Sequence, residues 1–202
     1  MANDFTNEDT WNGGFYELAI EIGPRSDDRL RASTKVLWAQ RDLDGCYLRN
    51  AVHPSKQSRV AAELPDNIEG GEHLLGLATL PDGKVVPCGC VPIREDDGPD
   101  WLDFYLPLGA LGIAYDEVGG YPFEESPSRS WREPIESWLA ELAESMFRSV
   151  RFELALIGFE VSGTQYAQEI AISGVPEERW IGYVWPKGSA VKYYATNEWS
   201  TG

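Results

Sequence analysis

From Phe15 to Ile22 the chain alternates: Tyr16, Leu18, Ile20 and Ile22 fall on one side of an extended backbone, and Phe15, Glu17, Ala19 and Glu21 on the other. A period of two with one apolar face predicts a half-buried strand. Gly23-Pro24 ends it. Ser26, followed by Asp27 and Asp28, then offers an N-cap and two first-turn acids for a helix reaching about Gln40, with Leu30, Thr34, Leu37 and Trp38 on one face. Residues 42–71 are punctuated by Asp44-Gly45, His53-Pro54, Leu64-Pro65 and Gly70-Gly71, which predicts turns and one short helix over Lys56 to Glu63.

A hairpin follows, His73 to Leu80 and Lys84 to Ile93, about Pro81-Asp82-Gly83. A type I turn with Gly83 as a left-handed bulge pairs Leu80 with Lys84, and this register sets Cys88 opposite Gly76 and Cys90 opposite Leu74. Beyond the acidic stretch Glu95 to Asp100, Trp101 to Leu111 reads as strand, interrupted by Pro107 and Gly109, and Gly119 to Ser130 as a loop. The strongest helical pattern is Pro134 to Val150. Pro134 suits the first helical position, and Ile135, Trp138, Leu139, Leu142, Met146 and Val150 make one apolar stripe.

After that helix, Phe152 to Val161, Tyr166 to Ser173, Trp180 to Trp185 and Ala190 to Ala195 read as strands with short separators, a C-terminal meander. Strands gathered behind a long helix, without β-α-β alternation, predict an α+β fold. The expected architecture is a single domain over 1–202: a mainly antiparallel sheet of six to eight strands, packed by the 134–150 helix and the shorter N-terminal helix.

Composition adds a partner class to this picture. Seventeen lysines and arginines against thirty-three acids leave a net charge of −16. That field repels phosphate backbones and anionic lipid, so nucleic acid and membrane are unexpected direct partners and a basic protein is better matched. No window approaches the roughly 18 apolar residues of a membrane span, and the polar, acidic start lacks a signal-peptide pattern. Three cysteines do not describe a disulfide framework, so free thiols in a soluble cytoplasmic protein are expected.

Candidate chemistry is sparse. Cys88 and Cys90 point the same way on a strand, but the bulged hairpin register sends His73 to the opposite face, which leaves two core thiols and no metal site. Cys46 and His53 lie in a loop whose spacing carries no nucleophile and base argument. Phosphate-binding, dinucleotide, nucleophile-elbow and zinc motifs are absent, so no cofactor is implied. The stretch Glu95, Asp96, Asp97, Asp100, Trp101 and Asp103 lacks EF-hand spacing and is expected instead to be a recognition patch, with acids that steer a basic partner and a tryptophan that anchors it. Trp131, Trp185 and Trp199 are further anchors of this kind. Glu17, Glu153 and Glu160 form the alternative, a carboxylate-lined pocket between sheet and helix for a small ligand or for hydrolysis. The sequence therefore favours a non-catalytic interaction protein, an inhibitor, antitoxin-like or adaptor module, over an enzyme.

Overall fold

The computed structural model describes residues 5–62, 73–116, 118 and 126–197. Eight strands, β1 (Phe15–Gly23), β2 (Leu43–Tyr47), β3 (Leu74–Thr79), β4 (Val85–Arg94), β5 (Asp100–Pro107), β6 (Leu154–Phe159), β7 (Gly182–Lys187) and β8 (Ala190–Tyr194), form one sheet in the order 2-3-4-5-1-6-7-8. Every neighbouring pair is antiparallel. Four helices accompany it: α1 (Asp27–Trp38), α2 (Leu108–Ala114), α3 (Ser126–Phe147) and α4 (Ala167–Ser173). The fold is α+β. Among the described residues no helix is long and apolar enough to cross a membrane.

β1 sits between β5 and β6 at the middle of the sheet, and this placement corrects its expected half-burial. From Tyr16 to Gly23 every residue is buried. One face, Tyr16, Leu18, Ile20 and Ile22, joins the main core with Leu30 and Leu37 of α1 and Ile135, Leu139 and Met146 of α3. The other face places Ala19 in a second core with Trp101, Leu154, Leu156 and Ile170 of α4, and carries Glu17 and Glu21 into that covered side.

The β3–β4 hairpin has the bulged register. Gly83 has φ of 84°, and the Leu80 N–H donates to the Lys84 carbonyl at 2.8 Å. Gly76 therefore pairs with Cys88 and Leu74 with Cys90. Gly45 of β2 pairs with Gly76, and the Trp38 ring lies over both glycines; a Cβ on Gly76 would stand 2.4 Å from the ring. The Trp38 indole N–H donates to Cys90 Sγ at 3.2 Å, so α1 is keyed into the sheet at this point.

Several segments depart from the expected elements. Tyr166 to Ser173 is not a strand: Ala167 and Ile170, three apart, are buried, and Glu169 accepts the Tyr166 N–H at 3.1 Å, which caps a helix start. Leu108 to Leu111 leaves the strand and begins α2, because Pro107 ends the ladder and the Leu108 and Gly109 N–H groups donate to the Gly14 and Asn12 carbonyls. Asp44-Gly45 is strand and not turn, since glycine is what the overlying Trp38 requires there. The helix expected over Lys56 to Glu63 is replaced by a 3-10 turn, Pro54–Lys56, and by extended chain whose Val60 N–H donates to the Cys46 carbonyl on β2; Glu63 itself lies outside the described residues. α3 also starts earlier, at Ser126, so Pro134 is inside the helix, and it ends at Phe147. Residues 119–125 of the expected 119–130 loop lie outside the described residues, and 126–130 are helical.

An acidic cleft as the candidate functional site

The segment from Arg94 to Trp101 turns the chain from β4 into β5. Its acids separate by burial. Asp100 is 1% exposed and structural: it accepts the Ser26 N–H at 2.7 Å and pairs with Arg94 at 3.3 Å, and Arg94 reaches on to Asp27. Asp100 thus ties the start of α1 to β5. Trp101 is equally buried and Asp103 nearly so, which removes both from any exposed patch. Asp96 and Asp97 are exposed and Glu95 is half-buried.

Glu95 folds back over Trp101. Its Oε1 accepts the Trp101 indole N–H at 3.0 Å and the Tyr166 hydroxyl at 3.1 Å, and the two rings meet edge to face with centroids 5.9 Å apart. Beside them, Glu21 reaches from β1, and its Oε2 accepts the Ala167 N–H at 2.7 Å at the first residue of α4. Glu153, just before β6, lies over Gly23, whose missing side chain makes room for the carboxylate. These groups line an open cleft of 420 Å³ bounded by Glu21, Glu95, Asp97, Glu153, Tyr166 and Gln168. Arg29 stands at its Gly23 margin, with its guanidinium bonded to the Arg151 carbonyl at 3.0 Å.

The cleft joins residues from both expected sets. Glu95 and Asp97 come from the recognition patch and Glu153 from the carboxylate pocket. Glu17 and Glu160 lie apart from it, at the opposite end of β1 and beyond β6. Neither expected set includes Tyr166 or Glu21, although Glu21 shares a strand face with the expected Glu17. Glu21 shares with Glu17 a strand flanked by apolar residues, a pattern that hides a central position, and Tyr166 sits in the segment read as strand.

Charge crowding is visible at Glu21. Burial, and then the neighbouring Glu153, Glu95 and Glu169 carboxylates, raise it to about 6, while the Ala167 N–H works in the other direction. Further along the same sheet face, burial and the Asp103 carboxylate raise Glu17 to about 8, and burial raises Asp103 to about 7.

The thiols are elsewhere. Cys46, Cys88 and Cys90 are free and buried on the helix side of the sheet, and burial pushes all three up, Cys46 to about 12. His73 is on the opposite face, hydrogen-bonded through Nδ1 to the Tyr105 hydroxyl at 2.6 Å. Among the described residues no three His, Cys, Asp or Glu side chains come close enough together to hold a metal ion, and the acids of the cleft line it without forming such a cluster. His53 Nδ1 bonds Ser55 in the 3-10 turn. Trp131 is 3% exposed and Trp185 packs against the second core, whereas Trp199 lies outside the described residues. No protein-family model matches the chain, and neither do any curated protein or solved structure.

Proposed function

We propose that the chain is a non-catalytic binding protein that receives a cationic side chain of a basic protein partner in the cleft formed by Glu21, Glu95, Asp97 and Glu153. The observation that carries this reading is that four carboxylate residues line one open concavity together with Tyr166, itself packed edge to face on Trp101. An arginine or lysine entering there meets charge-assisted acceptors and an aromatic face together. Gln168 on the cleft wall is followed one helical turn later by Ile172, which is 90% exposed and gives the same side of α4 an apolar contact beside the acids. The net charge of −16 adds long-range attraction of a basic partner. Three buried free thiols suit a reducing cytoplasm.

An arginine-bearing peptide titrated into labelled protein is expected to shift the Trp101 indole N–H resonance, because that group donates to Glu95. The effect should weaken as pH falls through about 6, where Glu21 takes up a proton. Shifts confined to other surfaces would exclude the cleft. Glu21 also supports a second reading: a carboxyl that titrates near neutrality suits proton transfer to a small ligand or hydrolysis of one. On that reading a neutral oligosaccharide, and not the peptide, moves the Trp101 signal.

A further inference from the structure

Glu17 projects from β1 and Asp103 from β5 onto one face of the sheet. Glu17 pairs with Tyr105 and Ala19 with Asp103, so the two acids are diagonal neighbours on adjacent strands, a spacing of roughly 7 Å. They are 4% and 5% exposed, and Asp103 Oδ1 has no hydrogen-bond partner. A single residue between β6 and α4 touches on both acids: the Ser162 N–H donates to Glu17 Oε2 at 3.3 Å, and the Ser162 side chain beside Asp103 works against the rise in the Asp103 pKa.

The groups facing this pair supply no counter-charge. From β5 comes Asp103 itself, and from beyond β6 comes Glu160, also negative. Tyr105, opposite Glu17, has its hydroxyl engaged with His73, and the remaining cross-strand partners are Gly158, Ala19 and the apolar Val91 of β4. Two buried carboxylates this close, with no facing cation, titrate as a unit, because the first ionisation opposes the second.

We infer that Glu17 and Asp103 carry one proton between them near neutral pH, and that this singly charged pair clamps Ser162 to the sheet and so fixes the wall of the acidic cleft. The wall begins only four residues further on. Val161 accepts the Thr164 N–H in a tight turn, and Tyr166, Ala167 and Gln168 follow at the cleft. Loss of the shared proton leaves two repelling charges, one with an orphaned oxygen, under Ser162. The clamp loosens at alkaline pH, and the wall loses one anchor beside its Glu21–Ala167 and Glu95–Tyr166 bonds. This control of the site rests on the cleft being the binding site.

The test is a titration of the full chain from pH 5 to 10 that follows the Glu17 and Asp103 carboxyl carbons and the Ser162 and Ala167 amides by NMR. Both carboxyl signals are expected to move in two shared steps, with the upper step also felt by both amides. Asp103→Asn should leave Glu17 a single step about one pH unit or more lower. Independent one-step curves, a Glu17 step unmoved by Asp103→Asn, or amides blind to the upper step would overturn the inference. If Asp103→Asn does not fold, the shared or independent form of the wild-type curves decides the question alone. A basic peptide that leaves the Trp101 signal unmoved would sink the cleft reading while leaving this titration intact; a failed titration would remove the clamp and leave the cleft.

Discussion

At the scale of single residues, Glu17 carries a cost that depends on pH. Its folded-state value is raised, so the native state keeps a proton that the unfolded chain has released. The unfolded state then binds fewer protons, and stability declines as pH rises from about 4.5 towards about 8, levelling off above. Glu17→Gln keeps an acceptor for the Ser162 N–H and removes the ionisation. It should flatten this decline and stabilise the protein at pH 8.5 by roughly 1–3 kcal/mol, with little change at pH 4.5, as read by urea unfolding at the two pH values. A variant that is equally or more destabilised at pH 8.5 would show that the buried carboxyl is not raised.

At the scale of elements, the α+β class and much of the antiparallel sheet were legible because their signals are local. Ser26 caps α1, Gly83 sets the hairpin register, and the stripe around Ile135 to Met146 finds the core. What the sequence concealed depended on tertiary placement. β2 reads as a turn until Trp38 is seen to occupy the space above Gly45 and Gly76. α4 carries an alternation that fits a strand until Ala167 and Ile170 are seen to pack and Glu169 to cap. Glu17 and Glu21 look like the wet side of a strand until β1 is found at the centre. The cleft was half legible: Glu95, Asp97 and Glu153 were candidates, but only the fold brings them to Glu21 and Tyr166. The Trp38 keying has its own test. Gly76→Ala forces a Cβ into the ring and should cost about 1–3 kcal/mol, with the Trp38 indole resonance displaced. An unchanged melting temperature would mean that the ring yields freely.

At the scale of the whole molecule, a charge of −16 attracts any cation, so affinity for a basic probe does not by itself locate a site. Position distinguishes a site from a field. Glu141 and Glu144 on α3 lie on the helix side of the sheet, away from Glu95 and Glu153, and their loss changes the net charge by the same amount. The measurement that tests the account most directly is therefore the affinity of an arginine-bearing peptide for two charge-matched variants, Glu95→Gln/Glu153→Gln and Glu141→Gln/Glu144→Gln, at physiological salt. The cleft variant should lose about tenfold or more, in line with removal of charge-assisted contacts, while the α3 variant loses no more than about twofold. Equal losses in the two variants would contradict the cleft as the binding site.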